Sequence, residues 1–318
     1  MAEKKMILDL DTGVDDALAL AYAIGNPDVD LIGVIASYGN TTNQIAAQNT
    51  LNLLHLLGAD DVPVFIGEGH SSTTDHFDVM PISQQIHGKN GIGDVELTTA
   101  KNQVSNQSGV DFLIEAAHQY QDKLIMLPTG PLTNLAKALE IDPAVGQLIG
   151  QTTLMGGALS VPGNVTPFSE ANIHQDPEAA DVVFRHQENL TMVGLDVTLR
   201  TLLTKAHTAE WRELGTVAGQ KYADIVDYYI DAYHDLGINE NGAALHDPLA
   251  VAVSIDPSYI TALPLNMKVT YDNQTGDYGR TIGDTERLLD STTAQAAVLV
   301  DQKRFVPDFQ EQMLAVLK

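Results

Sequence analysis

Four carboxylates crowd into eight residues near the start of the chain, at Asp9, Asp11, Asp15 and Asp16 of Asp9-Leu-Asp-Thr-Gly-Val-Asp-Asp16. Crowded carboxylates repel one another unless they are protonated, hydrogen-bonded or bridged by a cation. A hard divalent ion taking oxygen ligands is the simplest resolution. Aspartate also caps helix N-termini, which accounts for Asp15 or Asp16 without any chemistry, but not for all four. Gly13 lets the backbone turn sharply enough to bring both ends of the motif to one point.

Three other segments hold polar groups just after apolar runs. Pro128-Thr-Gly-Pro-Leu-Thr-Asn134 reads as a rigid turn opening a helix, which either offers a backbone carbonyl to a metal or merely connects two elements. Gly156-Gly157 is followed by Gly163-Asn164 and Glu170-Ala-Asn172, whose side chains suit hydroxyl recognition or serve as a generic polar loop. His246-Asp247-Pro248 opens an apolar helix. Proline at the first helical position favours a plain capping role for Asp247, and His246 alone reads equally well as a surface imidazole.

The elements that must position these groups are short apolar runs alternating with amphipathic ones. Strands are predicted at Met6–Leu10, Leu31–Ala36, Val62–Ile66, Lys123–Leu127, Thr152–Met155 and Leu190–Leu195, with helices at Ala17–Ile24 and Asn43–Leu57. Such interleaving implies crossover connections and a mainly parallel sheet. Ligands then bind beyond the carboxyl ends of the strands, where the polar motifs fall. The segment 67–106 is polar, glycine-bearing and weakly periodic, and reads equally as a loop moving over a site or as a surface excursion. Leu263 to Lys318 reads as one or two strands followed by helix, and the whole of 1–318 as a single domain.

The 42 acidic and 17 basic residues give a formal charge of −25. Such a surface repels phosphate backbones and anionic lipids, which argues against nucleic acid or a membrane surface as partner. With no cysteine in the chain, thiolate metal sites and cysteine nucleophiles are excluded, and the absence of disulfides suits the cytoplasm. No apolar stretch reads as a signal peptide or a membrane span.

Taken in order, several motifs resemble those of the inosine–uridine-preferring nucleoside hydrolases along nearly the whole chain. They are Asp-x-Asp-x-Gly-x-Asp-Asp, Tyr38-Gly-Asn40, His87-Gly-Lys-Asn-Gly-Ile-Gly93, Pro128-Thr-Gly-Pro-Leu-Thr-Asn134 and Leu154-Met-Gly-Gly157. Glu170-Ala-Asn172 through Asp176-Pro-Glu-Ala-Ala180, and His246-Asp-Pro248, complete the set. The resemblance implies a doubly wound α/β fold and a bound calcium ion (Ca2+). By motif position, Asp11, Asp16 and Asp247 would be side-chain ligands and Thr129 would supply its carbonyl. Asp15, Asn40, Asn164, Glu170 and Asn172 would hold the sugar hydroxyls of a small-molecule nucleoside, with Met155 nearby.

The resemblance further implies an oxocarbenium-like transition state, which a carboxylate-rich pocket stabilises. Asp11 would be the general base toward water, and His246 the proton donor to the leaving base. Tyr229 and Tyr233, one helical turn apart, match a pair lying near the leaving base in some members, and read equally as a half-buried aromatic stripe. A homo-oligomer, dimer or tetramer, is the family expectation. Two positions depart from the family pattern: Thr12 stands where proline is usual, which lowers turn rigidity, and Ala171 where an aromatic is common, which loosens packing around the sugar. A haloacid-dehalogenase-type phosphohydrolase also starts with a strand and Asp-x-Asp, but wants threonine where this chain has Gly13. The non-enzymatic alternative is a ribose- or calcium-binding protein, against which Asp11 and His246 argue.

Overall fold

The structure is a computed structural model that describes residues 4–272, 274 and 276–318. Its strands are β1 (Lys4–Leu10), β2 (Val29–Ala36), β3 (Val64–Ile66), β4 (Leu124–Pro128), β5 (Gln151–Met155) and β6 (Leu190–Val193). They continue with β7 (Leu202–Leu203), β8 (Ala243–Ala244), β9 (Ile260–Leu265), β10 (Met267–Thr270), β11 (Arg280–Gly283) and β12 (Ala294–Val300). Eight of them form one sheet in the order β3-β2-β1-β4-β5-β6-β12-β9. All neighbours in it run parallel except β12 and β9, so the predicted doubly wound, mainly parallel α/β architecture is present.

Parallel strands must be covered on both faces, because their crossover helices pack on each side. Alternate residues of β1 accordingly enter different cores. Met6, Leu8 and Leu10 join the cluster that includes helices Val14–Gly25 and His246–Ile255, while Ile7 joins the one built with helices Gly109–Tyr120 and Pro177–His186. Helix Val14–Gly25 is buried from Val14 to Ala23. Alanines at 17, 19, 21 and 23 give it a slim profile, and it packs against His246–Ile255 and Gln302–Val316. Burying a leucine such as Leu18 or Leu20 stabilises by roughly 1.5–3 kcal/mol, which fixes this helix, and hence the acidic turn before it, in the centre of the molecule.

The sequence-predicted strands and the first two helices are present, with ends shifted by a few residues. The C-terminal expectation needs correction. In place of one or two strands, β9 to β12 precede the final helix Gln302–Val316. Two of these, β10 and β11, form a separate antiparallel ribbon. Four-residue strands are too short for their alternation to stand out in a sequence. No helix among the described residues is long and apolar enough to cross a membrane.

Winding reverses at β1, with β2 and β3 on one side and β4, β5 and β6 on the other. The carboxyl ends of β1 and β4 therefore flank the crevice where ligands bind in such sheets. The Thr129 N–H donates to the Asp9 carbonyl at 2.9 Å across this seam. Thr12, where rigidity was expected to drop, shares a buried hydroxyl hydrogen bond of 2.8 Å with Thr50, which replaces ring rigidity with a tether.

Segment 67–106 contains helix Pro81–His87 and is otherwise mostly irregular. It is tied down at several points. The Ser72 N–H and hydroxyl both donate to the buried Asp176 carboxylate at 2.7 Å, the Glu68 N–H donates to Asn134, and the Asn49 amide donates to the Asn90 carbonyl.

Candidate active site

The turn after β1 brings its carboxylates to the seam. Asp9, still inside the strand, is fully buried and accepts two hydrogen bonds from the Asn134 amide, at 2.9 and 3.1 Å. Burial, relieved in part by Asn134, pushes its carboxyl up to about 8. It ties β1 to the helix that follows β4, a structural role. Asp16 closes the first turn of its helix by accepting the Gly13 N–H at 2.8 Å, and also accepts the Thr129 hydroxyl at 2.7 Å.

Asp11 accepts the backbone N–H of Asn40 at 2.7 Å and its side-chain amide at 3.1 Å. That approach requires glycine at 39, where φ is +153° and an added Cβ would lie 2.0 Å from an Asp11 carboxylate oxygen. The Asp11 and Asp16 carboxyls are within hydrogen-bond reach of each other.

Every carboxyl of the cluster is held above its ordinary range. Burial is the leading cause for Asp11, Asp15, Asp16 and Asp247, and neighbouring carboxylates add to it for Asp11, Asp15 and Asp247. Asp15 is pushed up to about 8, and its Oδ1 is buried without a hydrogen-bond partner among the described residues. Asp15, Asp16 and Asp247 can each direct one oxygen into a common region, all within 4.8 Å of one another. Sequence reasoning put Asp11 there instead of Asp15; in this structure the Asp11 oxygens are turned toward Asn40. Asp247, for which capping was the plain reading, sits inside its helix with Leu245 at the cap position, so its carboxyl is free to face the cluster.

Above the carboxylates opens a cavity of about 390 Å³. Asp15, Asn40, Thr129, Met155, Asn164, Glu170, Asn172, Tyr229, Tyr233, His246 and Asp247 all line it, which gathers the predicted residues other than Asp11 and Asp16 around one space. Several are also committed to the frame. Both Glu170 oxygens accept backbone N–H groups, from Asn172, Gly157 and Ile173. The Asn172 amide donates to the Thr129 carbonyl at 2.6 Å and the Met155 carbonyl at 3.2 Å, joining the ends of β4 and β5. Asn164, exposed at the rim, accepts the Ala171 N–H at 3.0 Å.

The far wall carries a relay of ring groups. His246 Nδ1 pairs with the Thr198 hydroxyl at 2.8 Å and Nε2 with the Tyr233 hydroxyl at 2.9 Å, and Tyr233 pairs with the Tyr229 hydroxyl at 2.9 Å. Burial pushes His246 down to about 4, so it is neutral near pH 7, and raises both phenols. The two tyrosines are thus buried and hydrogen-bonded, not a half-buried stripe.

His87 had no assigned role in the sequence. It lines the cavity with its ring 5.4 Å from that of Tyr229, and its Nδ1 accepts the Val14 N–H at 3.1 Å. The glycine-rich motif that begins with it was the available signal. Ile82, Leu199, Leu236 and Ile238 also line the cavity and lay outside the sequence reading, because lone aliphatic residues in loops and helix ends carry no chemical signature.

The family model for inosine-uridine preferring nucleoside hydrolases matches residues 6–307. The chain is 38% identical over 258 residues to a probable uridine nucleosidase of Arabidopsis thaliana, covering 81% of this chain and 79% of the relative. It is 36% identical to an inosine-uridine preferring nucleoside hydrolase of Crithidia fasciculata, covering 84% of each. Among solved structures, a purine-preferring ribonucleoside hydrolase from Gardnerella vaginalis superposes with a TM-score of 0.97 at 49% identity, covering 99% of both chains. With the seam, the carboxylate cluster and the cavity arranged as described, this chain belongs to the inosine-uridine preferring nucleoside hydrolase family and is a nucleoside N-glycosyl hydrolase.

Proposed function

We propose that the protein cleaves the N-glycosidic bond of ribonucleosides to free base and ribose, with Asp11 as general base, calcium as the bound ion and His246 as the source of the leaving-group proton. The observation that carries this reading is the polarity of the cavity. Buried carboxylates form its floor, and a histidine hydrogen-bonded to two tyrosines stands in its opposite wall.

The floor fits a hard cation. Its donors are all oxygen, its carboxyls resist ionisation without a counter-charge, and Asp15 Oδ1 has no hydrogen-bond partner among the described residues, with His87 Nδ1 3.8 Å away. Asp16 and Asp247, whose oxygens reach a common region with Asp15, would hold it together with the Thr129 carbonyl and Asp11 beside them. The second lone pair of the Thr129 carbonyl remains beside the Asn172 contact. When bound, such an ion would neutralise the cluster and lower the pKa of a nearby water.

The remaining roles belong to the chain. Asp11, oriented by both Asn40 donors, accepts a proton from water. Ionised carboxylates stabilise the positive charge that develops on the ribose as the bond to the base lengthens. Asp15, Asn40, Asn164, Glu170 and Asn172 surround the sugar. The departing base needs a proton. A proton taken up from solvent at His246 would pass along the Tyr233 and Tyr229 hydroxyls to the base as the bond breaks, so that His246 starts this step as imidazolium and ends it neutral.

Relatives carry names that cite uridine, inosine with uridine, or purines, which supports ribonucleosides as the substrate class. The deciding experiment incubates the metal-loaded protein with a nucleoside panel and follows free base and ribose by chromatography. Release from inosine or uridine is expected, and no turnover of any nucleoside despite bound metal overturns the proposal.

A further inference from the structure

Thr198 is the last residue of the short helix Leu195–Thr198 and is fully buried. It does not line the cavity, and nothing in its local sequence marks it for chemistry. Its hydroxyl meets His246 Nδ1 at 2.8 Å and has no other hydrogen-bond partner among the described residues. The opposite ring nitrogen, Nε2, meets the Tyr233 hydroxyl at 2.9 Å. His246 is thus gripped at both nitrogens, from behind by Thr198 and toward the cavity by Tyr233.

The two segments are joined without that hydroxyl. Strands β7 and β8 pair as a two-stranded ribbon, Leu202 opposite Ala244 and Leu203 opposite Ala243. The Leu245 N–H donates to the Thr201 carbonyl at 2.8 Å. Thr201 in turn donates its N–H and its hydroxyl to the Thr198 carbonyl, at 3.1 and 3.0 Å. Backbone bonds therefore fix where Thr198 and His246 stand, and the Thr198 side chain is left to act on the ring alone.

An imidazole turns about its last torsion with only a broad, two-fold preference. A half-turn would put ring carbons where Nδ1 and Nε2 now stand, and Tyr233 would lose its nitrogen partner. Building on the reading of His246 as the source of the leaving-group proton, we propose that Thr198 is a positioning residue, whose hydroxyl holds the His246 ring with Nε2 toward Tyr233. A hydroxyl suits this task because it both donates and accepts. It can serve Nδ1 whether or not that nitrogen carries hydrogen, so the ring keeps its orientation through the whole cycle. A small misplacement of a reacting group costs about a hundredfold in rate, so orientation matters as much as presence.

The test measures kcat and KM for inosine and for an aryl riboside whose leaving group needs no proton. It compares the metal-loaded wild type with Thr198→Val, Thr198→Ser and His246→Ala, with thermal melting as the check on folding. Thr198→Val keeps the side-chain shape and removes the hydroxyl. It should lower kcat for inosine about 10–100-fold and for the aryl riboside less than about 3-fold, with KM little changed for both. Thr198→Ser should recover most of the lost inosine rate, and Thr198→Val should add little to His246→Ala in the double variant. Equal losses on the two substrates, no loss on inosine, or a serine variant as slow as the valine one overturns the positioning role. If Thr198→Val does not fold, Thr198→Ala takes its place, and failure of both makes Thr198 a structural residue and also overturns the proposal. A His246→Ala variant that loses equally on both substrates removes the underlying acid reading instead.

Discussion

The floor and the mouth of the cavity are built on opposite principles. At the floor, buried carboxylates are locked by hydrogen bonds from Gly13, Asn40, Thr129 and Asn134, on elements packed in the centre of the sheet. At the mouth, aliphatic side chains stand partly in water on the short helix Pro81–His87 and at or just beyond the ends of two other helices. Electrostatic stabilisation demands groups that do not reorganise as charge develops, so it belongs on the rigid part. Apolar contact needs only area, which side chains at helix ends can supply. The difference teaches that buried charge and apolar contact are supplied to one cavity by separate parts of the chain.

The largest effect that would sharpen this contrast is at Asp11. Asp11→Ala should lower kcat about a thousandfold or more for every nucleoside alike, with the circular dichroism spectrum unchanged. A loss that varied strongly with the base would break the division between floor and mouth. Exhaustive chelation should remove activity as completely, and added calcium should restore it.

Next is His246, at the boundary between the two regions. His246→Ala should reduce inosine hydrolysis about a hundredfold or more, but an aryl riboside whose leaving group needs no proton only a few-fold. Equal losses on both substrates would remove the acid role.

The floor should also reveal itself through pH. Asp9 and Asp15 have folded-state values pushed up to about 8, against 3.8 unfolded. The folded, metal-free chain therefore holds more protons than the unfolded one between those values. The stability contributed by these groups is fully present below about pH 4 and is lost as pH rises through about 8. The melting temperature of chelated protein, corrected for the rest of the chain by an Asp15→Asn variant, should fall over that window, and calcium should flatten the dependence. An unchanged slope in Asp15→Asn would argue against a strained floor.

The smallest expected effect is at the tether beneath the motif. Thr12→Ala removes one buried hydroxyl hydrogen bond, worth about 1 kcal/mol, and should lower the melting temperature by about 2 °C with kcat nearly intact.

The floor was legible in the sequence because carboxylates beside an apolar strand contradict the ordinary rules of burial, and the contradiction itself is a signal. The cluster of Asp9, Asp11, Asp15 and Asp16 stood out that way, whereas Asp247 read as a plain cap and became a ligand only through the family resemblance; the parallel sheet followed from alternating apolar runs. Orientation was not legible. The turn of Asp11 toward Asn40, and of Asp15 Oδ1 into the unpartnered position, depends on contacts between residues distant in the chain. Nor could the sequence separate a stripe of tyrosines from a hydrogen-bonded relay, since both need the same spacing. Ile82, Leu199, Leu236 and Ile238 obey local rules, and only their convergence on one mouth distinguishes them. The ribbon of β10 and β11 was missed because each strand is too short to show a period.

The seam between β1 and β4 has a consequence for how the protein is made. Its acidic turn precedes Thr129 by a long stretch of chain, and Asp247 lies further still. A growing chain thus exposes Asp9 to Asp16 long before the partners that would complete a cation site exist. On the proposed ligand set, an ion would meet all of its ligands only once Asp247 has arrived. Loading with metal would then act as a late seal on a chain already wound in both directions, so calcium retention would report on completed folding as directly as on catalytic competence.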